Sequence, residues 1–231
     1  VQRPGHYPRY HILSQQDAWD EATRKVVLQR LEPPPPLRFF AAPEAARLGA
    51  ICARMLPQSD RPADRRIPIV EVLDERLSEG RINGYRYADM PPDGEAHRLG
   101  LQAIAEIARH LYRRDFEGLR GREQDAVLLT LHDGHPPAAA RIWARMNVVR
   151  YWRLLLDDVV TAYYQHPWAW DEIGFGGPAY PRGYMRLGRG QPEPWEEPEQ
   201  PRPFAAPEDS LSGVFTPLAQ AGPCWPRGAK R

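Results

Sequence analysis

The sequence predicts an all-α protein: a compact helical domain with an extended N-terminal arm and a long Pro-rich C-terminal tail. Three observations carry that expectation. Apolar residues recur at spacings of three and four across most of residues 40–165. Alternating, strand-like patterns are nearly absent. The 26 prolines of the 231-residue chain punctuate these runs and crowd both ends. We read residues 1–38 as an arm with one short helix, 39–187 as the helical domain and 188–231 as the tail.

Residues 1–13 read as extended. Ser14, with Asp17 three residues on, suggests a cap for a short helix through Val26, Val27, Arg30 and Leu31. The run Pro33–Pro36 ends it, and such a run is stiff. Pro43 is placed to start the next helix, with Leu48, Ile51, Cys52 and Met55 on one face. A loop at 57–66 leads to "PIVEVLDERLSEG", where Val70, Leu73 and Leu77 share a face and Gly80 is the expected stop. "GEAHRLGLQAIAEIARHLYRR" repeats the pattern with Ile104, Ile107, Ala108 and Leu111, and "REQDAVLLTLHDG" does so with Val127, Leu128 and Leu131. Between them and the preceding helix, "RINGYRYADM" at 81–90 is the only plausible hairpin or irregular turn.

The longest helix is expected to enter through Pro136 and Pro137 and stop before Pro167. Its core face is assigned to Ile142, Met146, Val149, Trp152, Leu156, Val160 and Tyr163. In the tail, Trp195, Phe204, Leu211, Val214, Phe215, Leu218 and Trp225 are unusual for a solvated linker, since burying each is worth roughly 1.5–3 kcal/mol. The tail is therefore expected to lie along a surface, its own or a partner's.

Composition excludes several function classes. With 31 basic and 30 acidic residues interspersed, the net charge is +1, so the electrostatic footprint of a nucleic-acid binder is missing. No apolar run is long enough to span a membrane. The opening residues have neither an apolar h-region nor a twin-arginine pair, so no export leader is expected in them. Two cysteines make no disulfide framework. Cys52 reads as a small buried hydrophobe, while Cys224 in the tail is a candidate for an intersubunit disulfide in an oxidising compartment.

Chemistry-bearing patterns are sparse. There is no G-x-S-x-G, no C-x-x-C and no H-E-x-x-H, and neither "GFGG" nor "GRG" follows a predicted strand or opens a helix, as a phosphate loop would. "HDGH" brings His132, Asp133 and His135 together at a helix end, where a metal is conceivable but favourable interaction with the helix dipole is preferred. Asp157 and Asp158 are adjacent acids; neighbours on a helix point about 100° apart and do not share a proton, so ion pairing is preferred, with Arg153 a candidate for Asp157. His166, before Pro167, is a candidate base without a nucleophile near it, and a packing or helix-end role is preferred.

The run "YYQHPWAWDEIGFGGPAYPRGYMRL" combines large aromatics, glycines and prolines without a catalytic pattern. Its order, Tyr-x-His-Pro-x-x-x-x-Glu-Ile-Gly-Phe-x-Gly-Pro-Ala-Tyr-Pro-Arg-Gly-Tyr, resembles the closing signature of the gluconate 2-dehydrogenase subunit 3 family. "FFAAPEAARLGAICARMLPQSDRP" and "IVEVLDERLSEG" resemble earlier parts of it more loosely, so the similarity covers about residues 39–187. The resemblance implies a non-catalytic small subunit that binds, stabilises and assists maturation of a large glucose-methanol-choline (GMC) type dehydrogenase acting on a sugar, sugar acid or polyol, with export of the pair a further role. FAD would sit in that partner and no cofactor in this chain. A cytochrome c subunit is a further implied partner, and the complex would be periplasmic, a cytoplasmic location being the alternative.

On that resemblance, the candidate partner interface comprises Tyr164, His166, Pro167, Trp168, Trp170, Glu172, Gly174, Phe175, Gly177, Pro178, Tyr180, Pro181, Arg182, Gly183 and Tyr184. Aromatics bury large areas with few rotors to freeze, glycines permit close approach, and prolines pre-order the path. Glu172 and Arg182 are candidate polar pins. The same residue types would also serve to cap the chain's own helices. The alternatives to a dehydrogenase subunit are a helical adaptor for another partner and a metal-dependent enzyme using His132 and His135.

Overall fold

The structure, a computed structural model, describes residue 7, residues 10–82, 84–180 and 182–183. The chain divides into two units, Val1–Glu199 and Gln200–Arg231, and every described residue belongs to the first. Pro181, Tyr184, Cys224 and the tail lie outside the described residues.

Helices account for the regular structure, and no strand occurs among the described residues. A 3-10 turn, Ile12–Ala18, precedes α1, Glu21–Gln29. The expected start at Ser14 is therefore corrected. Asp20 is the cap, its carboxylate accepting the Thr23 N–H at 2.9 Å, and Trp19 just before it is buried. α2, Ala42–Met55, starts through Pro43, and the Glu44 carboxylate reaches back to the Ala41 N–H at 2.9 Å. α3, Ile69–Ser78, is followed by Gly80 at φ +66°, the left-handed turn expected there. α4 spans Asp93–Tyr112 and α5 Gly121–His132. The intervening segment 81–90 is irregular and exposes Tyr85 and Tyr87, whose rings meet edge to face at 5.1 Å.

The long helix expected between Pro136 and Pro167 is two helices, and a third begins at Pro167 itself. α6 covers only Ala140–Trp143, α7 runs Val148–Tyr164, and α8 runs Pro167–Ile173. Asn147 restarts the helix because its side chain accepts the Arg150 N–H at 3.1 Å. This break resets the angular count, so a face projected from Ile142 is not the inward one. The buried residues of α7 are Tyr151, Leu155, Asp158, Val159, Ala162 and Tyr163, whereas Val149 and Leu156 are 40% and 38% exposed. Pro167 opens α8 rather than closing its predecessor, which suits a residue with no N–H to donate.

α2, α3, α4, α5 and α7 pack into one bundle. Its centre holds Leu48, Ile51, Leu73, Leu101, Ile104, Ile107, Val127, Leu131, Tyr151 and Leu155. Cys52 is buried there with a free thiol whose pKa burial pushes up to about 12. Two buried acids tie the bundle to less regular backbone. The Asp74 carboxylate accepts the N–H groups of Arg38, Phe39 and Phe40 at 2.6, 2.9 and 2.7 Å, fixing the entry to α2. Asp158 takes Arg76 at 2.5 Å and His97 at 2.7 Å, joining α3, α4 and α7.

Candidate functional site

The closing stretch begins where α7 ends. His166 caps α8, its Nδ1 accepting the Trp168 N–H at 3.2 Å, and both His166 and Pro167 are buried. Burial, with Arg61 and Arg30 nearby, pushes the His166 pKa down to about 4, so the ring is neutral at neutral pH and suited to accepting a hydrogen bond. α8 then ends at Gly174, φ +65°, where the chain turns away.

The two tryptophans of α8 enter different surroundings. Trp168 is half-buried against the main core, with Arg65 over its ring at 5.3 Å. Trp170 belongs to a second apolar cluster formed with Tyr7, Tyr10, Ile12, Trp19 and Val27 of the N-terminal segment. Its Nε1–H donates to the Tyr164 carbonyl at 2.6 Å, and Arg30 stands over its ring at 5.6 Å while donating to the Gln165 carbonyl at 2.8 Å.

Both candidate polar pins are engaged within the chain. Arg61 meets Glu172 at 2.5 Å, and the Tyr163 hydroxyl donates to the other Glu172 oxygen at 2.9 Å. Arg61 also reaches the Trp168 carbonyl at 3.3 Å, so the 57–66 loop, α7 and α8 are locked together. Burial is the main cause that pushes the Tyr163 phenol up to about 12. Arg182 donates to Gln15 at 3.0 Å and to the carbonyls of Gly176 and Pro178 at 2.7 and 3.1 Å.

Gly174 and Gly177 permit close approach by the chain's own aromatics. A Cβ on Gly174 would meet the Tyr7 ring at 2.7 Å, and one on Gly177 would meet Ile12 at 2.9 Å and Trp19 at 3.2 Å. Pro178 and Gly183 are half-buried. Among the described residues, the large side chains of the stretch left facing out are Tyr164, Ile173, Phe175 and Tyr180, exposed by 41%, 44%, 39% and 67%. Trp170, Glu172, Gly174, Gly177 and Arg182 are instead engaged within the chain. Ile173 escaped sequence reasoning because it lies inside the signature as one aliphatic among aromatics.

The other constellations form no reacting pair. His132 ends α5 with Nδ1 2.8 Å from the Asp133 carboxylate and its ring against the edge of Trp152 at 5.9 Å. His135 is exposed beyond Gly134, and among the described residues no group of three His, Cys, Asp or Glu side chains could hold a metal ion. Asp157 is exposed, without an ion pair to Arg153. A cleft of about 520 Å³ opens between Pro33–Pro35, α3 and α7, with Arg76 and Asp158 among its lining. Those two groups are already joined to each other, and Arg81 at the same cleft pairs with Glu79 at 2.6 Å.

Arg61, Arg76 and His97 carry no local motif, and only their distant partners reveal them. Asp158 could have been found from the inward register of α7 once the break at Asn147 was known.

No curated protein and no solved structure matches the chain. A family model described as gluconate 2-dehydrogenase subunit 3 matches residues 42–177. That span begins at the first residue of α2 and runs through the whole bundle, α8 and the glycine turn to Gly177. Since it takes in more than half of the sequence, and ends within the closing stretch rich in aromatics, glycines and prolines, the chain belongs to the gluconate 2-dehydrogenase subunit 3 family.

Proposed function

We propose that this chain is the non-catalytic small subunit of a flavin-dependent dehydrogenase complex, where it binds, stabilises and assists maturation of the large subunit. That partner is of the GMC type, carries the FAD and oxidises a sugar or polyol. Export of the pair, a periplasmic setting and a cytochrome c subunit that takes the electrons extend the same reading.

The observation that supports it is the outward group Tyr164, Ile173, Phe175 and Tyr180 on a backbone braced from within. Large aromatic side chains bury much area with few rotors to freeze, and they dominate interface energetics. Membership in a family named for a dehydrogenase subunit supports a dehydrogenase complex as the setting.

The test is capture of the full-length chain from its native host, with a visible spectrum of the eluate. A large protein with flavin absorption bands is expected. Tyr180→Ala, at the most exposed of these positions, should lower capture about tenfold while leaving the helical circular dichroism unchanged. A chain that elutes alone, colourless and folded overturns the reading.

A further inference from the structure

We propose that the N-terminal segment, taken as Tyr7 with residues 10–31, is a displaceable clasp that covers the glycine face of the closing stretch in the free chain and is released when a partner takes that face. The inference rests on the reading that this stretch docks on a flavoprotein, and it adds what holds the docking face beforehand.

The segment is built onto the stretch. Its buried apolar residues form a cluster of their own with Trp170, separate from the main core. Its polar links run to the same place: the Tyr10 hydroxyl donates to the Phe175 carbonyl at 3.1 Å, the Ile12 N–H to Asp171 at 2.6 Å, and Gln15 accepts from Arg182 at 3.0 Å. Tyr7 and Ile12 occupy the space that side chains on Gly174 and Gly177 would need. The segment therefore covers the glycines as an incoming partner backbone would.

Its attachment to the rest of the protein permits release. Residues 32–38 are exposed, and Pro33–Pro36 contribute no backbone N–H donors to hold them down. Firm anchoring resumes at Arg38–Phe40, where Asp74 gathers three N–H groups. An opening of Tyr7 and residues 10–31 can thus stop at Asp74 without disturbing α2. The matched family region begins at residue 42, beyond this anchor, so the clasp lies outside it while Trp170, Gly174 and Gly177, which it covers, lie inside. A small separate cluster on such a tether opens at lower free energy than a bundle core.

Hydrogen–deuterium exchange on the full-length chain tests this. Trp19→Ala should speed exchange of the amides of residues 12–29 by about tenfold or more while α4 and α7 keep theirs. The milder Tyr10→Phe, which removes one hydrogen bond, should give roughly fivefold over the same residues. If either variant accelerates the bundle helices equally, the segment is part of one cooperative unit and the clasp is overturned. In the complex captured from the native host, residues 12–29 should lose protection relative to the free chain while residues 164–180 gain it; protection of 12–29 that stays or rises overturns release. If no flavoprotein is captured, the docking reading fails and the occupant assigned to this face fails with it, whereas the free-chain exchange still decides separate opening.

Discussion

The ring of Tyr151 lies so close over Gly100 that a Cβ on that glycine would stand 1.8 Å from the tyrosine Cζ. Both residues are buried, and the contact is where α4 and α7 approach one another at the centre of the bundle. Gly100 sits in the middle of a 20-residue helix, where glycine costs roughly 1 kcal/mol relative to alanine. The ring contact explains why that cost is borne. Gly100→Ala should destabilise by about 3 kcal/mol in urea unfolding, the upper end of ordinary overpacking. Adding Tyr151→Leu should recover part of the loss, which would identify the ring as the clashing group.

Among the described residues no group hydrogen-bonds the Tyr151 hydroxyl, and burial together with the Asp158 charge raises its pKa. Tyr151→Phe removes a polar atom whose desolvation is uncompensated by the protein. It should change stability by less than about 1 kcal/mol and in the favourable direction, read from the same unfolding midpoints.

Asp158 is the acid on which α3, α4 and α7 converge. Asp158→Ala leaves Arg76 and His97 facing each other without the shared carboxylate, and loss of one partner from a buried pair typically costs about 3–5 kcal/mol. The expected result is a lowered midpoint with an unchanged slope, whereas Asp157→Ala, one position along but exposed, should shift stability by less than about 0.5 kcal/mol.

His166 gives a pH dependence with a definite sign. Its folded pKa of about 4 lies below the ordinary value of 6.5, so between these pH values the unfolded chain binds a proton that the folded chain does not. Stability from this residue is complete above about pH 6.5 and falls as pH drops toward 4, by on the order of 3 kcal/mol in all. His166→Asn keeps a capping side chain but removes the titration. The difference in unfolding free energy between the two proteins, measured from pH 7 to pH 4, should shrink or reverse as the pH falls.

Arg61 and Glu172 are more than a hundred positions apart in sequence and form the link that fastens α8 to the 57–66 loop. A double-mutant cycle with Arg61→Ala and Glu172→Gln should give a coupling of about 1–3 kcal/mol, in the range of charge-assisted hydrogen bonds. A coupling near zero would mean that α8 is held by its other contacts, among them its tryptophans and the Asp171 link to Ile12.

The helical class, the starts of α2 at Pro43 and of α3 before Val70, the stop at Gly80 and the inward faces of α2 and α5 were legible in the sequence, as was that of α4 except at Leu111, which the last turn carries out to 41% exposure. Each depends on residues within one or two turns of each other, where periodicity and capping act. The closing signature was legible for the same reason, as a fixed order of neighbours. The register of α7 was not, because Asn147 ends one count and starts another, and asparagine alone does not announce which role it plays. Nor could residue order say which way the signature's aromatics face. Trp170 turns inward because Tyr7, Ile12 and Trp19 return from the other end of the chain to meet it, whereas Tyr180 is 67% exposed. Local sequence thus determined the helices and the composition of the site. Only the tertiary structure divided that site into bracing and exposed residues, because that division is set by contacts across more than a hundred residues of chain, which no local pattern encodes.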